Sequence, residues 1–96
     1  MNTKIQSVRF DADKKLLDFV ESKISKLEKF SDKITSIDVT LRIDKNLEKG
    51  NKEVVVMVNV PNDSLVSERK SESFEESTDL CVDALKKQLD KYKHKI

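Results

Sequence analysis

Residues 37–43, Ile37-Asp38-Val39-Thr40-Leu41-Arg42-Ile43, alternate apolar and polar side chains without a break. That is the period of a strand with one face in a core and the other toward water. Ser31-Asp32-Lys33 separates this strand from a preceding segment where Leu16, Val20, Ile24 and Leu27 recur at spacings of four, four and three. Leu17 and Phe30 join the same stripe, so the period predicts a helix over about residues 13–30 with one buried face. Asp11 or Asp13 can cap its first turn. Before it, residues 4–10 (KIQSVRF) are short and β-prone, with Ile5, Val8 and Phe10 apolar, and predict a first strand.

On the other side of residues 37–43, the polar run 44–53 holds the only glycine, Gly50, and reads as a long hairpin connection. Residues 54–60 are mostly valine and predict a third strand. Pro61-Asn62-Asp63 then turns the chain into a weaker strand, Leu65 to about Lys70, expected at a sheet edge. Finally Phe74, Thr78, Cys81, Leu85, Leu89, Tyr92 and Ile96 step by threes and fours, which predicts an amphipathic helix from Phe74 to the C-terminus. The order is β-α-β-β-β-α, an α+β chain. A right-handed crossover makes the first two strands parallel and the hairpins make the rest antiparallel. Both helices then cover one face of a four-stranded mixed sheet and leave the other face open.

Composition narrows the chemistry. Ninety-six residues suffice for one core, so residues 1–96 are expected to form a single domain. One glycine excludes a Gly-rich phosphate loop. One cysteine excludes an intrachain disulfide and a Cys-rich zinc site, and fits a reducing compartment such as the cytoplasm. No run approaches the ~18 apolar residues that span a bilayer, and the N-terminus has no secretory apolar region, so no membrane partner is expected. His94, the only histidine, lies in a basic terminal run where a solvated role is expected, and Cys81 falls on the apolar stripe of the last helix. Glu72, Glu75, Glu76 and Asp79 suit the positive end of that helix better than a metal. These residues make no catalytic constellation, and neither a cofactor nor a small-molecule substrate is expected.

The net charge of +1 hides a segregation of signs. Glu72, Glu75, Glu76, Asp79 and Asp83 precede Lys86, Lys87, Lys91, Lys93 and Lys95, among which Asp90 is the only acid. At about 100° per residue, Lys15, Lys26, Lys29 and Lys33 form a band on one flank of the first helix, with Lys23 at its border and Glu21 and Glu28 on the other flank. In the last helix Lys87, Lys91 and Lys95 lie to one side of the buried stripe and Lys86 and Lys93 to the other. If the helices pack side by side, two lysine rows are expected to border one groove, where each ammonium could contact a phosphate. The same spacing also suits a solvated face with i,i+4 ion pairs. Phe10, Phe19, Phe30, Phe74 and Tyr92 are too few, and too often on apolar faces, for a base-stacking platform. Arg69 and Lys70 either add contacts or protect the edge strand from strand addition.

Three stretches carry a resemblance: IQSVRFDADKKLLDFVESKISKLEKF, the alternating ITSIDVTLRI, and FEESTDLCVDALKKQLDKYKHK. Over nearly the whole chain they resemble the ribosome hibernation promoting factor family, most specifically at KISKLEKF and DALKKQLDKYK. The resemblance implies a fold similar to double-stranded RNA-binding domains. It also implies a non-enzymatic translation inhibitor that occupies the mRNA and tRNA channel of the small ribosomal subunit in stationary phase or stress. The family's rRNA-facing basic positions correspond to Lys23, Lys26 and Lys29 in the first helix and to Lys87 and Lys91 in the last, and Lys86 is added from the same basic run. The chain departs from the family pattern at Phe74-Glu75, where a Met-Tyr pair is common, and at Ala84, where a base is common. Ending at Ile96, it resembles the short form. Two other readings stand beside this one: a protein-interaction module using the open sheet face or fourth strand, and an autonomous double-stranded RNA-binding domain.

Overall fold

In the computed structural model residues 2–94 are described, apart from the side chains of Asn2 and His94. Six elements follow in the order expected: β1 (Asn2–Val8), α1 (Lys14–Phe30), β2 (Ser36–Ile43), β3 (Lys52–Val60), β4 (Asp63–Ser71) and α2 (Phe74–His94). The proposed continuation of α2 through Lys95 and Ile96, and the solvated role of the His94 side chain, lie outside the described residues.

The sheet order is β1-β2-β3-β4, with β1 parallel to β2 and both hairpins antiparallel. Ile37, Val39 and Leu41 of β2 are buried against Val58, Val56 and Val54 of β3, their register partners. Val20, Ile24 and Leu27 of α1 and Cys81, Leu85 and Leu89 of α2 close over the same sheet face. Each such side chain removed from water contributes ~1.5–3 kcal/mol before its entropy cost, so this stripe fixes both helices on the sheet. Cys81 is the small buried hydrophobe expected. Its Sγ donates to Val54 O at 3.2 Å, and burial pushes its thiol pKa up.

Local signals set the element ends. Asp13 caps α1, its carboxylate accepting from Leu16 N at 2.9 Å. Ser73 does the same for α2, its Oγ accepting from Glu76 N at 3.0 Å, with Glu75 and Glu76 in the first turn where the helix dipole favours anions. The second hairpin is tight: Val60 pairs with Asp63, leaving only Pro61 and Asn62 in the turn. Asn62 takes φ 67°, the left-handed value that asparagine tolerates well.

Three boundaries differ from the sequence reading. β1 ends at Val8, not residue 10, because Arg9 turns left-handed (φ 65°). Phe10 therefore leaves the strand and stacks on Phe74, ring centroids 5.0 Å apart. The first hairpin connection stops at residue 51, so Lys52 and Glu53 belong to β3. β4 is a nine-residue strand, longer than the edge segment expected, because its alternate residues pair with β3 along the whole hairpin.

Candidate nucleic-acid interface

Two contacts fix how the helices lie. Lys23 Nζ of α1 meets Asp79 Oδ1 of α2 at 3.0 Å. Lys93 Nζ donates to Phe30 O at 3.0 Å and sits 4.7 Å above the Phe30 ring centroid. The early part of α2 thus faces the middle of α1, and the late part faces the end of α1, so the helices run in the same direction. The consequence is electrostatic. Parallel helices bring their lysine-rich C-terminal halves side by side, and the charge segregation along the chain becomes a basic pole in space. Cations at helix C-termini also complement the negative end of the dipole.

Lys26, Lys29, Lys86, Lys87 and Lys91 make no ion pair among the described residues. Lys26, Lys29, Lys87 and Lys91 are exposed and Lys86 is half-buried. Lys23 stands apart. Its ammonium is committed to Asp79 and lies 5.4 Å from the Phe19 ring centroid, with 29% of the side chain exposed.

The expected groove between the lysine rows needs correcting. Gln88 Nε2 donates to Val66 O of β4 at 3.0 Å, and Lys91 lines a cavity of about 140 Å³ with Asp63, Leu65, Gln88 and Tyr92. That flank of α2 faces β4, away from α1. Lys86 and Lys93, on the opposite flank, are the α2 lysines toward α1. The physical reason is the direction of α2 on the sheet, which turns the Lys87–Lys91 side outward. The basic surface is therefore a crown over the helix layer, with Lys26 and Lys86 inward of it, Lys29 and Lys87 on top and Lys91 on the outer slope.

Across the sheet, the open face handles charge differently. Arg42, Glu53 and Lys70 are direct neighbours in the register of β2, β3 and β4. Arg42 Nε donates to Glu53 Oε1 at 2.7 Å, and Lys70 Nζ lies 3.6 Å from Glu53 Oε2 and 3.0 Å from Asp44 Oδ2. Glu53 is 1% exposed. Burial alone would raise its carboxyl, but hydrogen bonding with Glu68 and Arg42 and the nearby cationic charge hold it below the usual value. The Glu68 carboxyl is raised by that contact with Glu53. Asp44 is lowered by its hydrogen bond to Lys70, whose own pKa is raised. Arg69 spends its guanidinium on Glu68 O at 2.8 Å. The two β4 cations considered as extra contacts thus have intramolecular partners. Sequence reasoning missed Glu53, and the only local hint was its position opposite a strand arginine.

Both helices on one face of a four-stranded mixed sheet define a β-α-β-β-β-α domain, with lysines that meet no carboxylate among the described residues gathered on its helix layer. Within that class, the chain belongs to the Sigma 54 modulation protein / S30EA ribosomal protein family, whose model matches residues 3–96. A relative from Azotobacter vinelandii named ribosome hibernation promoting factor is 33% identical over 95 residues, covering 99% of this chain and 85% of the relative. The structure of a ribosomal subunit interface protein from Coxiella burnetii superposes with a TM-score of 0.83 at 26% identity, covering 98% of this chain and 99% of that one. The N-terminal domain of Thermus thermophilus Protein Y shares the fold, with a TM-score of 0.78 at 22% identity over 96% of this chain and 99% of that domain.

Proposed function

We infer that the chain is a ribosome-associated hibernation factor, that residues 1–96 act as one ribosome-binding domain in the cytoplasm, and that it works by binding rather than catalysis. Its lysine crown contacts rRNA phosphates in the small subunit's mRNA and tRNA channel, and occlusion of that channel inhibits translation under stress. The observation that carries this reading is the parallel helix pair, which gathers Lys26, Lys29, Lys86, Lys87 and Lys91 on one side without carboxylate partners among the described residues. Unpaired ammonium groups displace condensed counterions from a phosphate backbone, whereas paired ones must first lose their partner. The names of the relatives point the same way.

The test is cosedimentation with ribosomes and separated subunits across a salt series, with and without initiator tRNA and mRNA. Small-subunit binding that weakens steeply with salt and is displaced by tRNA and mRNA is the expected result. Changing Lys26, Lys29, Lys86 and Lys87 together to Glu should abolish binding while the circular dichroism and melting curve stay native. Undiminished binding by this folded variant overturns the lysine crown as the contact surface. Comparable affinity for an isolated RNA duplex would favour the autonomous double-stranded RNA binder.

A further inference from the structure

The two edges of the sheet are finished differently. Along β4, Val66 and Glu68 hold alternate positions, and both carbonyls are taken by side chains, Val66 O by Gln88 Nε2 at 3.0 Å and Glu68 O by Arg69 Nη1 at 2.8 Å. Such cover discourages another strand from adding there. β1 pairs only with β2. Among the described residues, no hydrogen bond from a side chain or from backbone outside the sheet reaches its outer edge. Alternate residues of a parallel edge strand point N–H and C=O outward, so β1 presents an unpaired template.

Beside that edge runs a cleft of about 380 Å³, lined by Thr3 of β1 and by Asp18, Glu21, Ser22, Ser25 and Glu28 of α1. Glu28 accepts a hydrogen bond from Thr3 Oγ1, which ties the carboxylate-bearing flank of α1 to the edge. Lys14 lies 3.4 Å from Asp18, but both side chains are largely in solvent, so it offsets little of the negative field. Along the helix axis Glu28 and Glu21 are seven residues apart, ~10.5 Å, and Asp18 follows ~4.5 Å further on. Residues i, i+2 and i+4 of an extended strand span ~13 Å on one side. Three alternate cations on an added strand, ~6.7 Å apart, would therefore cover about the same length as the three carboxylates, with their long flexible stems taking up the uneven ~10.5 and ~4.5 Å gaps. Ile5 of β1, only half-buried against the core, would gain cover from the same strand.

We propose that the outer edge of β1 docks an extended, lysine- or arginine-rich protein segment by strand addition, with its alternate basic side chains lying in the Asp18–Glu21–Glu28 cleft. Backbone pairing supplies the affinity and the carboxylates supply the selection, as in strand-addition recognition generally. The site lies on the flank of α1 opposite the lysine crown and does not rest on the ribosome reading.

The probe is a synthetic ten-residue peptide alternating Lys and Thr, with a Glu-Thr peptide as its control, added to the full chain and followed by amide hydrogen exchange and titration. Exchange at alternate amides of residues 3–8 should slow at least tenfold with the Lys-Thr peptide and not with the control. Changing Asp18 and Glu21 together to Lys, both exposed positions, should weaken the peptide at least tenfold with an unchanged melt. Absence of binding, or binding that leaves the β1 amides unprotected, overturns the proposal. Full competition by spermine also overturns it, since a small polycation needs no strand. So does self-association that protects β1 without peptide, because the occupant would then be a second copy.

Discussion

On the open face of the sheet, Arg42 and Lys70 are locked around a buried carboxylate, while on the helix layer Lys26, Lys29, Lys86, Lys87 and Lys91 meet no carboxylate among the described residues. Both sides carry cations, yet of these only the five helix lysines, unpaired among the described residues, have charge free to spend on a partner. The sheet cations hold a strand register together, since Glu53 pairs across to Arg42 on one side and Lys70 on the other. The helix lysines stabilise little that is internal, and an external polyanion is the simplest role for them. Counting lysines could not separate these two uses. Their partners do.

The largest expected effect breaks the sheet side alone. Glu53→Ala leaves Arg42 without its carboxylate and opens a buried position, and should cost ~1–3 kcal/mol at neutral pH, less than a fully buried pair because Arg42 is half exposed. Ribosome binding by the folded variant should hold. The pH dependence has a definite sign. The Glu53 carboxyl is lowered from 4.5 and that of Asp44 from 3.8, so their stabilisation is present above those values and is lost as pH falls through the lowered ones. Glu68 is raised and acts in the opposite sense, its contribution fading as pH rises through its raised value. Urea midpoints between about pH 2.5 and 7 should therefore show a shallower acid limb for Glu53→Gln than for the parent. An unchanged limb would mean that the cross-strand cluster does not govern acid stability.

The same contrast explains what was legible in the sequence. β2 and both helices were readable because their apolar periods are strong and local. Glu53 was not, because an acid at the end of a polar run looks like loop until the register sets Arg42 and Lys70 beside it, and register is a property of pairing. Phe10 misled for a related reason. Its apolarity extends the strand pattern, but the left-handed Arg9 ends the strand and sends the ring to Phe74, 64 residues along the chain. For the lysines, spacing placed Lys26, Lys29, Lys86, Lys87 and Lys91 on their flanks, but Lys33 falls outside the band because α1 ends at Phe30 with Ser31 as its C-cap, and Lys95 lies outside the described residues. Which flank of α2 faces α1 depends on the direction and seating of both helices on the sheet, and so Lys86 rather than Lys87 or Lys91 lies toward the seam.

A smaller effect sharpens the helix side. Lys26→Ala and Lys29→Ala should each weaken ribosome binding roughly threefold to tenfold and lower the slope of log affinity against log salt by about 0.7–0.9, the share of one lost phosphate contact. Lys26→Ala should leave the melting temperature where it is, because Lys26 has no ion-pair partner among the described residues, and Lys29→Ala should lower it only by the small loss of a cation from the last turn of α1. Lys70→Ala is the counterpart on the sheet. It should lower stability, most visibly on the acid limb set by Asp44 and Glu53, and leave the salt slope of binding where it was. A Lys70→Ala variant that changed the slope would place the sheet face in the interface and erase the distinction.

The smallest effect concerns Lys23, the one helix lysine on the candidate surface that behaves like a sheet cation. Its contact with Asp79 is partly exposed, 29% and 48% for the two side chains, so solvent screening limits the pair to ~0.2–1 kcal/mol. A double-mutant cycle of Lys23→Ala and Asp79→Ala, followed by urea unfolding, isolates that coupling from the loss of each side chain. If Lys23 is a strut between the helices, the cycle yields a positive coupling and Lys23→Ala costs the ribosome complex less than Lys26→Ala does. If Lys23 instead contacts phosphate, it must leave Asp79 on binding. Asp79→Ala would then tighten the complex by releasing the ammonium, and Lys23→Ala would weaken it as much as Lys26→Ala. The cycle read on binding separates the two: loss of the Asp79 charge favours a polyanion in either case, so only a Lys23→Ala loss that grows in the Asp79→Ala background marks an ammonium that enters the interface.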